Sequence, residues 1–170
     1  YSDCVGHPKW FEGKEYLGKS KKYKLHLLSN QPKFKLHSQL DNGHVADNEK
    51  SDGRSVIEIN KFDAEARALT ENMVVKVFNH RGCCLAVVKI SDKIMPGVVN
   101  IPTGAWLDPL KSSGISCVHG NPNVLTNDVG TSKLAQGPTA HTCLVEIEQF
   151  NEKAPRINAF EPPKITGLNK

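Results

Sequence analysis

The sequence predicts a mainly β fold with short helices, built on a barrel of about six strands. Three observations predict it: short alternating or β-branched runs recur along the chain, turn signals separate them, and helical spacing is convincing in one segment only. "YKLHLLS" sets Tyr23, Leu25 and Leu27 against Lys24, His26 and Leu28, and "SVIEIN" is β-branched around Ile57 and Ile59. "MVVKVFN" and "CCLAVVKI" flank the turn "NHRG" and read as a hairpin. "GVVNI" follows a Pro96-Gly97 turn, and "TCLVEIEQ" puts Cys143, Val145 and Ile147 on one face with Glu146 and Glu148 on the other.

The helix is "NKFDAEARAL". Asn60 is its candidate N-cap, Asp63 lies three residues on, and Phe62, Ala66 and Leu69 fall at helical spacing. Asp41 to Ser55 is polar with Gly43 and Gly53, which predicts a mobile surface loop. The end, "NEKAPRINAFEPPKITGLNK", carries Pro155, Pro162 and Pro163, which oppose regular structure. It reads as an extended tail laid on another surface, with Phe160 and Ile165 as anchors.

A chain of 170 residues, 38% hydrophobic and 24% charged, fits one domain with a real core. A net charge of +4 favours anionic partners only slightly. No apolar run reaches the roughly 18 residues that span a bilayer, and the opening residues lack a basic-then-apolar leader pattern. The absence of an initiator Met suggests a piece of a longer protein. Five scattered cysteines, Cys4, Cys83, Cys84, Cys117 and Cys143, do not make a disulfide framework and read as free thiols. Cys83 and Cys84, adjacent on a strand, would face opposite sides.

Bland readings suffice for several tempting groups. His80 with Cys83 and Cys84, or Cys117 with His119, lacks the second pair of ligands a zinc site needs. His37 beside Ser38 has no orienting acid for a hydrolase. The lysines from Lys19 to Lys24 lack the interleaved aromatics of a nucleic-acid face. "VGTSKL" does not have the spacing of a phosphate-binding loop.

Two long polar loops at strand ends remain. One is "SNQPKFKLHSQLDNG", after the first strand; the other is "GNPNVLTNDVGTSKLAQG", completed by "PTAHT" before the last. In the second, Val124, Leu125, Val129 and Leu134 are the isolated apolar anchors. Small amide and hydroxyl groups bond to nearby backbone, so such loops hold shape without ladders, and they also supply the short neutral donors and acceptors that grip a polar cofactor. Trp106 in "TGAWLDP" is expected as a rim aromatic beside these loops, with Asp108 and Pro109 turning the chain.

"LLSNQPKFKLHSQLDNG", the run "INKFDAEARALTENMVVKVFNHRGCCLAVVKISDKIMPGVVNIPTGAWLDP" and "HGNPNVLTNDVGTSKLAQG" together resemble, in one order and over nearly the whole chain, the C-terminal domain of the molybdenum oxidoreductases of the dimethyl sulfoxide reductase family. Within it the trimethylamine N-oxide and biotin sulfoxide reductases look nearest. The resemblance implies a six-stranded double-psi-type β-barrel over residues 19–150, with 1–18 as the tail of a preceding domain and 151–170 as an extended C-terminal tail. It also implies a bis(molybdopterin guanine dinucleotide) molybdenum cofactor shared with upstream domains, and no catalytic residue in this part alone.

Carried over by motif, cofactor contact falls on Ser29, Asn30, Gln31, Pro32, Lys35, His37, Ser38 and Gln39, and on Asn123, Thr139, Ala140 and His141. Lys35 stands where the family has Arg, keeping the charge and losing the planar fork. Asn72 stands where a Gly-containing turn is usual, and Asn tolerates the left-handed conformation. The implied parent reduces N-oxides or S-oxides in the periplasm, or in the cytoplasm if it is of the biotin sulfoxide type. Its electrons would come from a redox partner such as a c-type cytochrome. The competing class is a non-enzymatic double-psi barrel, a binding or adaptor module without cofactor.

Overall fold

The computed structural model describes residues 1–162 and 165–166; Pro163, counted among the breakers of the tail, lies outside them. Its strands are β1 (Leu25–Leu28), β2 (Lys50–Ser51), β3 (Arg54–Ile59), β4 (Val74–Phe78), β5 (Cys83–Ile90), β6 (Val98–Asn100) and β7 (Leu144–Gln149). Six of them close a ring in the order β3, β5, β4, β7, β1, β6 and back to β3, while β2 only extends β3 as a two-residue hairpin arm. The pairs β1 with β6 and β3 with β5 are parallel, and these flank the antiparallel seam of β3 and β6. The six-stranded, mainly β architecture is the one expected.

Alternation fills the lumen. Leu25 and Leu27, Ile57 and Ile59, Val75 and Val77, Cys84, Ala86 and Val88, Val99, and Cys143, Val145 and Ile147 form one buried cluster. Strand β5 is buried on both faces: Cys83 and Leu85 point instead into a second cluster with Ile115 and Val118, so the two adjacent thiols do face apart. All five cysteines are free. Burial raises the Cys84 thiol pKa and pushes that of Cys143 up to about 11, which leaves them unreactive packing groups.

Register assigns the loops to ends. Since β1 runs parallel to β6 and antiparallel to β7, and β4 is antiparallel to both β5 and β7, the segments after β1 and β6, before β3 and β7, and the β4–β5 turn share one end. The opposite end carries α1 (Lys61–Glu65). Asn60 caps α1 by accepting from the Phe62 N–H at 3.0 Å and also donates to the Ile94 carbonyl at 2.7 Å. The helix is shorter than its pattern: Ala68 takes φ 53 and ends the turn, and the buried face is Ala64 and Leu69, with Phe62 and Ala66 exposed. Asn72 does take the left-handed conformation, φ 64.

Three expectations are corrected. Residues 41–55 are ordered structure, a 3-10 turn at Ala46–Glu49 followed by the β2–β3 hairpin, with Asp41, Ala46, Arg54 and Ser55 buried. In the second polar loop only Leu125 and, in part, Val124 anchor the chain; Val129 and Leu134 are exposed. In the tail Phe160 is an anchor but Ile165 is exposed, because the tail docks through backbone bonds. Asn158 and Ala159 N–H groups donate to Asp108 Oδ2 at 2.6 and 3.1 Å, and Arg54 donates to the Pro155 carbonyl. Among the described residues no helix is long and apolar enough to cross a membrane.

Candidate functional site

The first polar loop leaves β1 and crosses the shared barrel end. Its backbone is pinned early, where the Thr103 N–H donates to the Asn30 carbonyl at 2.9 Å, and again at its apex, where Trp106 Nε1 donates to the Ser38 carbonyl at 2.7 Å. Trp106 therefore sits beside the loop as expected. His37 and Leu40 have φ 50 and 57, strained for residues with a Cβ. Opposite them Gly104, φ 98, passes so close that a Cβ there would lie 1.9 Å from the His37 carbonyl oxygen. A side chain is excluded at that crossing.

Beneath the loop lies a buried polar hub that sequence reading missed. The Asp41 carboxylate is fully buried and receives the Lys35 ammonium, the Lys50 ammonium at 3.5 Å and the Trp106 N–H at 2.8 Å. Burial opposes its charged form, but Lys35 and the Trp106 N–H outweigh that and hold its pKa below the usual carboxylate value. His119, also fully buried, bonds the Trp106 carbonyl through Nδ1 at 3.0 Å and lies 3.7 Å from Asp41. Burial lowers the His119 pKa, against the opposing pull of the Trp106 carbonyl and Asp41. Phe160 covers the hub, edge-on to His119 at 4.9 Å and to Trp106 at 5.3 Å, with Lys50 Nζ 4.7 Å from its ring centre. Little local marks Asp41 in sequence, since apart from Lys35 of its own loop its partners Lys50, Trp106 and His119 come from three other segments.

The residues carried over by motif divide by what occupies them. Gln31 and His37 pair at 3.0 Å, Pro32 is buried, and Lys35 is turned inward onto Asp41. Asn30, Gln31, His37, Ser38 and Gln39 are exposed, and Ser29 is half-buried. Asn30 and Gln31 line a cavity of about 440 Å³ in which Glu49 Oε2 and Asn100 Oδ1 are buried with no hydrogen-bond partner among the described residues. Gln39 lines a second of about 360 Å³ with Phe34 and Leu36.

In the other loop, Asn121 caps the 3-10 turn Pro122–Val124 by accepting from the Asn123 N–H at 2.9 Å, leaving the Asn123 side chain exposed. Thr139 donates to the Val129 carbonyl at 2.9 Å and lines a cavity of about 480 Å³ with Thr131, Ser132 and Gln136. Ala140 is half-buried and His141 exposed. The two loops touch where the Ser29 N–H points to His141 Nδ1 at 3.5 Å, so Thr139 to His141 adjoin the first group.

The donor set is neutral amides, hydroxyls, imidazoles and backbone, a chemistry matched to ring edges and phosphate oxygens. Among the described residues no three His, Cys, Asp or Glu side chains gather as a metal site. The model of the family described as "Molydopterin dinucleotide binding domain" matches residues 25–144, from the start of β1 to the first residue of β7, with both polar loops inside the match. The chain belongs to that family.

This dinucleotide-binding domain is similar to curated proteins as well. It is 50% identical over 157 residues to "Trimethylamine-N-oxide reductase 1" of Escherichia coli (strain K12), covering 89% of the chain and 18% of that relative. It is 45% identical over 148 residues to "Biotin sulfoxide reductase" of Cereibacter sphaeroides, covering 87% of the chain and 20% of that relative. The "Dimethyl sulfoxide/trimethylamine N-oxide reductase" of the same organism is 42% identical over 96% of the chain. The resemblance read from the motifs is thus borne out, and the domain spans about a fifth of the length of these relatives. Among solved structures, "Acetylene Hydratase from Pelobacter acetylenicus" shares the fold, with a TM-score of 0.67 at 16% identity over 84% of this chain and 21% of that one.

Proposed function

We propose that this domain holds part of a bis(molybdopterin guanine dinucleotide) molybdenum cofactor inside a larger enzyme that reduces N-oxides or S-oxides. The observation that carries the reading is the pair of polar loops meeting at Ser29 and His141, the first of them pinned at its Ser38 carbonyl by Trp106, while Asn30, Gln31, Gln39 and Asn123 remain exposed. When bound, the molybdenum centre supplies two-electron oxygen-atom transfer. The chain's own part is to bind and orient: amides of Asn30, Gln31 and Gln39 address ring and phosphate edges on one side, and Asn123, Thr139, Ala140 and His141 on the other. Ser29, Pro32, Lys35, His37 and Ser38 shape the first grip.

On this reading residues 1–18 belong with a preceding domain, 19–150 form the binding barrel, and 151–170 are the tail that straps it. Upstream domains complete the site, and the periplasm with a c-type cytochrome as electron donor is the setting that suits reductases of this kind. The test is molybdenum and guanine per polypeptide in the complete purified protein and in its Gln39→Ala and Asn123→Ala variants. Guanine and molybdenum in the ratio a bis(dinucleotide) requires are expected, with lower occupancy in each variant as a buried partner worth about 1 to 3 kcal/mol is lost. Unchanged occupancy at intact stability would assign the loops to packing and leave a barrel that binds something else.

A further inference from the structure

We infer that Asp41 is a positioning residue for the cofactor grip: through Lys35 and Trp106 it holds the loop from Gln31 to Leu40 in the shape that receives the dinucleotide. The inference rests on the cofactor reading above. Asp41 touches none of the exposed amides itself. Its carboxylate instead joins the two structures that fix the loop, the Lys35 side chain inside it and the Trp106 backbone beside it. Trp106 in turn grips the loop apex through the indole bond to the Ser38 carbonyl. The adjoining close pass of Gly104 under His37 leaves the apex no slack, and both positive-φ residues, His37 and Leu40, lie between the Lys35 and Asp41 anchor points. A backbone in an unfavourable conformation persists only where its surroundings over-determine it, and the Asp41 hub is what does so here.

The hub is itself held from outside the loop. Lys50 on β2 binds both Asp41 and the exposed Asp47, His119 supports the Trp106 carbonyl, and Phe160 of the tail closes over His119, Trp106 and Lys50. The partners of Asp41 are a lysine of the loop itself, a loop-facing tryptophan and a lysine of the β2 arm, and none of these three lies on a strand of the six-stranded ring.

The test uses the complete polypeptide, with two variants. Asp41→Asn keeps the shape and removes the charge; Trp106→Phe keeps the ring against Phe160 and removes the donor to Ser38. Guanine retained per polypeptide is expected to fall several-fold in Asp41→Asn and less in Trp106→Phe. In the same samples, freed of cofactor, amide exchange at 36–41 and 104–106 should quicken by about tenfold or more while β4 and β5 keep their protection.

Exchange that does not change in these segments, that quickens equally in β4 and β5, or that quickens locally with guanine retention unaltered would each overturn the positioning role. Should Asp41→Asn fail to fold, Trp106→Phe decides by the same two readings. Guanine missing from the wild-type polypeptide would instead sink the underlying cofactor reading, a result the unmutated protein gives by itself.

Discussion

His119 couples the stability of the loop end to pH. Its Nδ1 is satisfied by the Trp106 carbonyl, whereas its buried Nε2 has no partner among the described residues, so a second proton there would be unsolvated. Asp41 favours that proton and the ammonium groups of Lys35 and Lys50 oppose it, with burial the largest influence, and the folded pKa is lowered. As pH falls below the unfolded value of about 6.5, the unfolded chain takes up the proton first and stability drops until the folded His119 titrates too; above that value this residue contributes no pH dependence. Asp41, whose folded pKa is lowered, contributes stability that fades only in more acid solution, so the two windows separate. Urea midpoints measured from pH 7 down to pH 5, in steps, should therefore fall in the wild type and fall less steeply in His119→Asn. Parallel slopes would show that His119 is not the group responsible. In sequence His119 is set aside as a zinc ligand for want of a second pair, and its link to Asp41 is invisible there because it depends on the fold.

Gly104 shows what an element-level crossing demands. The segment after β6 must pass under the first polar loop, and it does so at φ 98 with no room for a Cβ. Gly104→Ala should cost about 1–3 kcal/mol from the backbone conformation alone, and more because the His37 carbonyl must move. The measurement is the urea midpoint together with amide exchange at 36–41; an unchanged midpoint would mean that the crossing is slack. Elements whose order comes from their own periodicity were legible in sequence: the six barrel strands, the β4–β5 hairpin and the Asn60 cap. Residues 41–55 were not. Their polar, glycine-containing pattern predicts mobility, yet their order is imposed by partners far along the chain, Trp106 for Asp41 at a separation of 65 and Pro155 for Arg54 at 101. The side-chain spacing of the helix likewise continues past its real end: α1 stops at Glu65 and the turn after it closes at Ala68 in the left-handed conformation.

At the scale of the whole molecule, barrel closure puts both polar loops at one end, a consequence of register that composition and spacing do not contain; the motifs pointed to both loops but not to the hub beneath them. The same end receives the opening segment of the chain. Glu15 takes a two-pronged bond from Arg81 on the β4–β5 turn, the second prong at 3.0 Å, and accepts the Leu144 N–H at the start of β7 at 2.6 Å. Both side chains are largely buried, at 17% and 16% exposure, which makes this pair worth more than a surface ion pair. Burial opposes the Glu15 charge, but Arg81 and the Leu144 N–H prevail and lower its pKa. If residues 1–18 belong to a neighbouring domain, this clasp registers that domain on the barrel. Glu15→Gln retains an acceptor for Leu144 and loses the paired charge, so it should lower stability by about 1–3 kcal/mol at neutral pH, read as a smaller urea midpoint with the slope m nearly unchanged. Because the folded pKa of Glu15 lies below its unfolded value of about 4.3, its contribution is complete above that value and fades as pH falls through the folded one. Wild type and variant should therefore converge in acid. Equal midpoints at neutral pH, or a difference that persists undiminished at low pH, would show that the opening segment is held to the barrel by packing rather than by this charge pair.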